Sequence, residues 1–355
     1  MVGSGELSPQ AFAGFIRTLG RGKRGARSLS QAEAREAMRQ ILGGRVAPEQ
    51  LGAFLMLLRL KEETPEELAG LVQAARAGLS PEPGLPVVLD WPAYAGKRRH
   101  LPWFVLAALL LARNGIPVLM HGAAGDSERV HAEHALRALG IAPCTTLAGA
   151  HQALATTGFA YLPLAAFAPA LQTLLDLRAL LGLRSPMHTV VRLLNPFRAR
   201  HSLQGIFHPG YQTLHVEAAA LLDDRELAVL RGEGGEAERN PERPCEVACL
   251  RDGARASEAW PTLLYGHRPK PERLEPGRLA GLWEGEYDEA YATAAVIGTA
   301  AIALRLTRRA ADAAEASQLA RRLWDERPPL AQLRIPADTG DSDRVSRWTP
   351  LPAWR

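Results

Sequence analysis

Apolar residues at helical spacing dominate the first third of the chain. A capping box at residues 30–33, in which a serine hydroxyl and a glutamate carboxylate each bond a free backbone amide, predicts a helix that ends near Gly43. A second helix follows Pro48. The cap signal recurs at Thr64, with proline at the first helical position, and opens a helix that ends near Gly78. We therefore predict a small all-helical domain on the amino-terminal side.

After residue 86, short β-like runs alternate with helical patterns, which is typical of a mostly parallel sheet. The predicted strands are 87–89, 117–121, 159–162, 203–207 and 227–231. The predicted helices are 101–113, 127–139, 169–181, 186–194, 288–307 and 310–325. The expected fold class is therefore α/β, with a helical domain at 1–85, an α/β domain at 86–325 around a central mostly parallel sheet, and a poorly ordered tail at 326–355.

The composition is that of a globular protein, because 47% of the 355 residues are hydrophobic and can bury a large core. The most apolar run, residues 101–112, is too short to span a bilayer, so no membrane partner is expected. Three cysteines do not make a disulfide framework, and Cys245 and Cys249 are interpreted as strand or loop residues rather than a zinc site. No signal sequence is recognised, so a cytoplasmic location is expected. The net charge of +4 favours anionic partners only mildly.

The segment 177–216 contains no Asp or Glu, although a window of this length would be acid-free roughly one time in a hundred at the chain's own composition. The same segment carries five arginines, here called the basic ridge, namely Arg178, Arg184, Arg192, Arg198 and Arg200. A row of cations of this extent suits a polyanion better than one small phosphate. The alternative is that some of these arginines pair with carboxylates from elsewhere in the fold or extend along helices.

Further basic positions extend the predicted nucleic-acid site beyond the ridge. Arg21, Lys23 and Arg24 lie beside glycines and form either a flexible arm for phosphate or merely a soluble segment. His188 is included in the site, although a histidine at such a position is more often a satisfied core or helix-end residue. Residues 122–126 (GAAGD) are similar to an anion-binding turn before a helix, and a phosphate there is a further possibility.

Five motifs between residues 16 and 320 share their order and wording with one known family. They are GGRV at 43–46, HG at 121–122, LRALLGLRS at 177–185, LLNP at 193–196 and GIFHP at 205–209. These motifs resemble those of the anthranilate phosphoribosyltransferase-like family, which has the glycosyltransferase family 3 fold. The resemblance implies an all-helical domain, joined in space by helices from about 169–200, an α/β domain around a central sheet, and a dimer formed through the helical part.

Two departures from the family pattern fall on its chemistry. The family's G-T-G-G-D-G loop wraps the diphosphate of the sugar donor with backbone amides, and residues 89–96 match it here. Proline has no amide and the aromatic side chains are bulky, so we call this stretch a degenerate diphosphate loop, with Asp90, Trp91, Pro92 and Tyr94 as its residues. The family's adjacent Asp-Glu metal pair is matched by Ala237 and Glu238, so one carboxylate is missing, and neither a metal nor a cofactor is expected.

The sequence also resembles a DNA-binding subgroup of this family, which has the same loss of the glycine loop and the same gain of basic residues. Residues 16–27 and 231–241 resemble its two signature segments. The resemblance implies a homodimer that binds DNA or RNA without sequence specificity and without transferase activity. The alternative is a divergent phosphoribosyl- or glycosyl-transferring enzyme that reaches diphosphate with Lys97, Arg98 and Arg99. A regulatory pseudo-enzyme that senses a phosphorylated metabolite is a third possibility.

Overall fold

The computed structural model describes residues 9–22, 24–79, 87–125, 128–266 and 273–333. Within these ranges the chain has the expected fold class, because a helical amino-terminal part precedes a larger α/β part. No helix in the described ranges is long and apolar enough to cross a membrane.

Four helices form the amino-terminal part, and two of them begin at the caps that the sequence predicts. They are α1 (Pro9–Gly20), α2 (Gln31–Leu42), α3 (Pro48–Lys61) and α4 (Pro65–Ala77). The Ser30 and Thr64 hydroxyls each accept a hydrogen bond from the third amide of the helix that follows. The buried Glu67 carboxylate also accepts from the Leu29 amide and pairs with Lys61 at 2.7 Å. One carboxylate therefore connects the starts of α2 and α4 to the end of α3.

In the described ranges seven strands form one sheet, which is mostly parallel as predicted. They are β1 (Leu89–Ala93), β2 (Val118–Gly122), β3 (Phe159–Pro163), β4 (His201–Ile206), β5 (Glu226–Arg231), β6 (Cys245–Arg251) and β7 (Ala254–Trp260). The order across the sheet is β3-β2-β1-β4-β5-β6-β7, with β1 to β5 parallel and β6 and β7 forming an antiparallel edge hairpin. The strand order reverses between β1 and β4. In open α/β sheets such a reversal creates a ligand crevice at the carboxyl ends of the strands.

Ten further helices of the described ranges cover the sheet and connect it to the amino-terminal part. They are α5 (Phe104–Arg113), α6 (Ala132–Ala138), α7 (Leu147–Thr157), α8 (Leu164–Phe167), α9 (Pro169–Leu181), α10 (Met187–Val190), α11 (Gly210–Leu221), α12 (Arg278–Glu284), α13 (Ala290–Leu306) and α14 (Ala313–Asp325). One face of the sheet packs on α5 and α13, which are buried on almost all sides. On the other face, one continuous apolar cluster joins α1 to α4 with α9, α10 and α11. The helical part thus shares its core with the α/β part.

β1 begins later than the predicted strand at 87–89 and continues through Pro92. Its pairing with β4 stops at Asp90, before the proline, so Pro92 stands where one side of the ladder has already ended. Beyond Asp90 the two strands are no longer paired, and the crevice lies at their carboxyl ends.

The structure shows where two of the cysteines and part of the predicted tail lie. Cys245 and Cys249 are buried free thiols in β6, and burial raises the pKa of each to about 11. They are strand residues, as the sequence indicates. Across the described ranges, no three His, Cys, Asp or Glu side chains are grouped so that they could hold a metal ion. α14 extends to Asp325 and a short turn ends at Leu333, whereas the remainder of the predicted tail lies outside the described residues.

Candidate anion-binding site

A cleft occupies the crevice at the carboxyl ends of β1 and β4. It consists of a larger cavity of about 540 Å³ and a smaller one of about 120 Å³, and both are lined by Arg184 and His188. The segments that follow β1, β2 and β4 form one wall, and the end of α9 with the start of α10 forms another. Arg59 of α3 also lines the smaller cavity, so both parts of the fold contribute to the cleft.

Most of the degenerate diphosphate loop is not a loop. Asp90, Trp91 and Pro92 lie inside β1 and are buried, so only Tyr94 belongs to the segment after the strand. The placement of these three residues after the first strand was wrong, because the strand accommodates Pro92 beyond its pairing with β4. Trp91 and Trp103 are fully buried and belong to the hydrophobic core.

Tyr94 separates the cleft from a buried polar network. Its hydroxyl lies 2.7 Å from His121 Nδ1, and His121 Nε2 lies 3.1 Å from an Asp90 carboxylate oxygen. The Ser202 hydroxyl donates to the other Asp90 oxygen at 3.0 Å. Burial raises the pKa of Tyr94 well above its ordinary value, so its hydroxyl stays protonated. Asp90 and Tyr94 thus hold β1, β2 and β4 together.

The backbone amides that follow β1 are already bonded to an internal carboxylate. Glu236 Oε1 accepts hydrogen bonds from the Ala95 amide at 2.8 Å and from the Gly96 amide at 2.5 Å. The Glu236 side chain has no exposed surface. Burial raises the pKa of this carboxyl, while the nearby Arg192 guanidinium and the two amides act in the opposite direction. A carboxylate of the chain itself therefore occupies the position in which free amides could hold a phosphate.

Close backbone approach keeps the Glu236 segment in place. A Cβ at Gly205 of β4 would stand 2.1 Å from the Glu236 carbonyl carbon, and one at Gly232 would stand 1.8 Å from the Glu236 carbonyl oxygen. Only glycine allows the chain to pass so closely at these two positions. The end of β4 and the turn after β5 thus hold residues 233–238, here called the acidic segment, against the loop after β1.

Two more glutamates of the acidic segment fix Lys97 in the interior. Lys97 is 1% exposed and pairs with Glu238 at 2.6 Å and with Glu233 at 3.1 Å. The second oxygen of Glu238 accepts from the Phe104 amide at 2.8 Å. Lys97 is therefore not available to a ligand in the cleft. Because both Glu238 oxygens are engaged and Ala237 has no carboxylate, these residues do not fit the magnesium site that the family resemblance implies.

Arg98 and Arg99, the other cations of the enzyme alternative, are exposed. The Arg98 side chain pairs with Glu128 at 2.6 Å, and the Arg99 amide donates to Glu233 at 2.8 Å. Both residues lie in the segment after β1, but neither lines the described cavities of the cleft.

Among the described residues, five arginines line the cleft, and Arg59 is one of them. Arg129 and Arg178 line the larger cavity, Arg192 lines the smaller one, and Arg184 lines both. The pKa of Arg184 is lowered to about 10, first by burial and then by the charges of Arg192, Arg178 and Arg129, with Glu236 acting in the opposite direction. A lowered arginine pKa means that the charged form is disfavoured where it stands, and an anion would relieve this. Arg129 was missed by the sequence analysis because it is isolated in the sequence.

The basic ridge is not continuous. Arg198 and Arg200 precede the amino end of β4, whereas Arg192 lies beside the residues at its carboxyl end. β4 is about 17 Å long, so the two groups lie at opposite ends of the strand. Arg200 approaches the Glu226 carboxylate at 4.0 Å, so part of the ridge does meet acid from elsewhere in the fold. The prediction of one row of five arginines was therefore wrong, and three of them remain in the cleft.

The remaining predicted positions lie in two segments, residues 21–24 and the predicted turn at 122–126. Arg21 and Arg24 are exposed between α1 and α2, and Lys23 lies outside the described residues. Gly122 ends β2, and the three residues after it line the larger cavity, whereas Asp126 lies outside the described residues. The turn at 122–125 is thus at the cleft, as an anion-binding role would require.

His188 is in the cleft but adds no positive charge. Its pKa is lowered to about 3, first by burial and then by Arg192 and Arg184. Its Nδ1 donates to the Ser185 carbonyl oxygen at 3.2 Å, and its own carbonyl accepts from Arg192. His188 is therefore neutral, and its carbonyl oxygen orients Arg192.

A second neutral histidine gives the protein an expected acid sensitivity. His215 is 1% exposed, donates from Nδ1 to Gln204 Oε1 at 2.7 Å, and has its pKa lowered from 6.5 to about 3, mainly by burial. Below pH 6.5 the His215 imidazole is protonated in the unfolded chain but stays neutral in the folded chain. The free energy of unfolding should therefore fall as the pH falls, by up to about 1.4 kcal/mol per pH unit for this group.

The effect is measured by urea unfolding of the wild type and of His215→Gln. Each protein is unfolded at about pH 7 and at about pH 5.5, which lie on either side of the ordinary histidine pKa. The variant should lose less stability on acidification than the wild type. Comparison of the two proteins isolates His215 from buried glutamates such as Glu236, whose raised pKa acts in the opposite direction. An equal loss in both proteins would contradict the assignment.

Comparison with known proteins identifies the family. The profile of the glycosyl transferase family helical bundle domain matches residues 13–77, and that of its a/b domain matches residues 105–326. The chain therefore belongs to glycosyl transferase family 3, together with the anthranilate phosphoribosyltransferases.

Individual relatives include both a protein without a stated activity and enzymes. The chain is 32% identical to the uncharacterized protein YbiB of Escherichia coli K12 over 247 residues, which cover 68% of this chain and 77% of YbiB. It is 31% identical to the anthranilate phosphoribosyltransferase of Methylocella silvestris over 315 residues, covering 84% and 88% of the two chains.

Solved structures show the same fold over nearly the whole chain. The anthranilate phosphoribosyltransferase of Thermus thermophilus superposes with a TM-score of 0.73 at 25% identity, covering 90% of this chain and 99% of that one. The Saccharomyces cerevisiae enzyme in complex with PRPP and Mg has a TM-score of 0.75 at 16% identity, with coverage of 92% and 96%. The second likeness concerns the fold alone.

Proposed function

We propose that this protein binds nucleic acid without sequence preference, through phosphate contacts in the basic cleft, and that it transfers no phosphoribosyl group. The observation that carries the proposal is the position of Arg184, which lines both cavities and whose pKa is lowered first by burial and then by three other arginines. Like charges held together in a half-buried site are unfavourable unless an anion joins them. Phosphate is the anion that guanidinium groups bind best, through paired hydrogen bonds.

The spread of the arginines over two cavities favours a polymer over a single phosphate. The arginines line two adjoining cavities, and Arg184 lines both of them. Successive phosphates of one strand can meet successive guanidinium groups, whereas one small anion meets only one or two of them. Contacts to phosphate carry no sequence information, so binding should not depend on sequence.

The loop after β1 supports the second half of the proposal. The Ala95 and Gly96 amides are bonded to Glu236, and Lys97 is bonded to Glu238, so neither amides nor ammonium can receive a diphosphate. The rival function is a divergent phosphoribosyltransferase, and the observation in its favour is the 31–32% identity to proteins of that name.

Two assays of the wild-type protein test the proposal. In the first, a fluorescein-labelled strand of about 20 nucleotides, longer than one single-strand binding site, is titrated with protein and followed by anisotropy, with competition by unlabelled strands of unrelated sequence. Saturable binding with equal competition by every sequence is expected. No saturable binding would contradict the proposal.

In the second assay, the protein is incubated with anthranilate, PRPP and Mg, with the Thermus thermophilus enzyme as positive control. No product is expected, because Glu236 occupies the amides that would hold the diphosphate. Turnover within about a hundredfold of an ordinary enzyme, on the order of ten per second, would favour the transferase.

We also propose a homodimer in a reducing cytoplasm. Leu60 at the end of α3 is 85% exposed, and Leu180 of α9 is 83% exposed, which supports an apolar contact through the helical part. The three free cysteines support the compartment. Sedimentation equilibrium should give the mass of two chains, and the mass of one chain would contradict the dimer.

A further inference from the structure

An exposed aromatic cluster follows β4 at the rim of the smaller cavity. Phe207 is 49% exposed, its ring centroid lies 4.9 Å from that of His208, and the His208 ring lies 6.4 Å from the Tyr211 ring. The backbone holds Phe207 in place, because its carbonyl oxygen accepts from Arg231 Nε at 3.1 Å and α11 begins three residues later. The backbone that carries the ring is therefore anchored, and the ring itself contacts His208.

Arginines surround this aromatic cluster. Arg59, Arg184 and Arg192 line the same cavity as Phe207 and Tyr211, and Arg59 Nη1 reaches the Tyr211 hydroxyl at 3.5 Å. A single exposed apolar side chain is ordinary on a protein surface. A half-exposed aromatic ring at the edge of a cavity lined by three guanidinium groups is different, because it combines the two chemistries that a nucleotide offers, a π-face and a phosphate.

We infer that Phe207 is a stacking platform for a base of single-stranded nucleic acid, with the adjoining phosphates on Arg59 and Arg184. The inference rests on the proposed function and adds the form of the ligand to it. In a duplex the bases are stacked on one another inside the helix, so their faces cannot reach Phe207. In a single strand each base has a free face, and stacking on an aromatic ring tolerates every sequence.

The test compares four labelled probes of about 20 nucleotides with the wild-type protein and variants at Phe207. The probes are a thymidine single strand, a mixed-sequence single strand, an abasic strand with the same backbone, and a duplex. The variants are Phe207→Ala, Phe207→Leu and Phe207→Tyr, with Leu221→Ala as the matched control, since Leu221 is an exposed apolar residue (39%) at the far end of α11.

Phe207→Ala and Phe207→Leu should each weaken binding of the base-bearing single strands about tenfold, as expected for one stacked base. Phe207→Tyr keeps a ring and should keep the affinity. Binding of the abasic strand and of the duplex should change little in any variant, because both engage only the arginines. Leu221→Ala should bind every probe like the wild type.

Equal loss for all four probes, or no loss for any, would overturn the platform. A variant that binds every strand normally but loses its dimer would assign Phe207 to a contact between two copies of the chain, which also overturns it. These results are distinct from failure of the proposed function, because that failure is read from the wild-type protein, which would then bind none of the probes.

Discussion

Reversing two charges of the cleft, with Arg178→Glu and Arg184→Glu in one protein, should weaken nucleic-acid binding at least about a hundredfold in roughly 0.1 M salt. Each reversal removes a phosphate contact and adds a charge that repels the backbone. Arg192 is left unchanged, because it is buried and donates to the His188 carbonyl, so a glutamate there would disturb the fold. The affinity is measured by anisotropy with a labelled strand.

The matched control is Arg198→Glu with Arg200→Glu. These residues belong to the same acid-free segment and give the same change in net charge, but they lie at the amino end of β4. The control should bind within about threefold of the wild type, because its charges are farther from the cleft than a Debye length of about 10 Å. Equal loss from both pairs would show that the cleft is not the site. A large fall in melting temperature for the first pair would show that its arginines are structural.

Replacing Lys97 should have the largest effect on folding. Lys97→Met leaves Glu238 buried without its counter-ion and removes one partner of Glu233. Breaking a buried ion pair in this way costs about 3–5 kcal/mol of the free energy of unfolding, since the remaining charge stays desolvated. Urea unfolding of the wild type and the variant measures the loss.

Two further variants separate this pair from general damage. Arg98→Met alters the next residue, whose exposed pair with Glu128 should contribute less than about 1 kcal/mol. Lys97→Met combined with Glu238→Met removes both charges and should recover at least half of the loss. A single variant as stable as the wild type would mean that Lys97 is not tied into the interior and could serve a ligand.

The sequence predicts those elements whose signals are local. The caps at Ser30 and Thr64 carry their own hydrogen-bond partners three residues later, and both helices begin there. The parallel strands are short apolar runs between helices, and four of the five lie close to the predicted positions. By contrast, α7, α11 and the β6–β7 hairpin were not predicted. β7 is mostly exposed and α11 has no side-chain cap, so both lack a local signal. α7 does have one, because the Thr146 hydroxyl accepts from the Gly149 amide, and this cap was overlooked in the sequence.

The site is harder to predict because it depends on distant contacts. Arg192 and Arg200 are eight residues apart in the sequence, yet they lie near opposite ends of β4. Glu236 is 140 residues from Gly96, and neither segment has a sequence pattern that predicts their hydrogen bond. The glycines at 232, 234 and 235 were the one available signal, since a glycine-rich turn after a strand allows close approach to a neighbouring loop.

The salt dependence of single-strand binding tests the central claim most directly. The logarithm of the affinity is measured against the logarithm of the salt concentration for the wild type and for the Arg178→Glu, Arg184→Glu protein. The account predicts a steep wild-type slope of about −0.7 for each phosphate neutralised on a single strand, and a clearly shallower slope for the variant. A flat wild-type slope, or the same slope in both proteins, would contradict phosphate binding by the cleft.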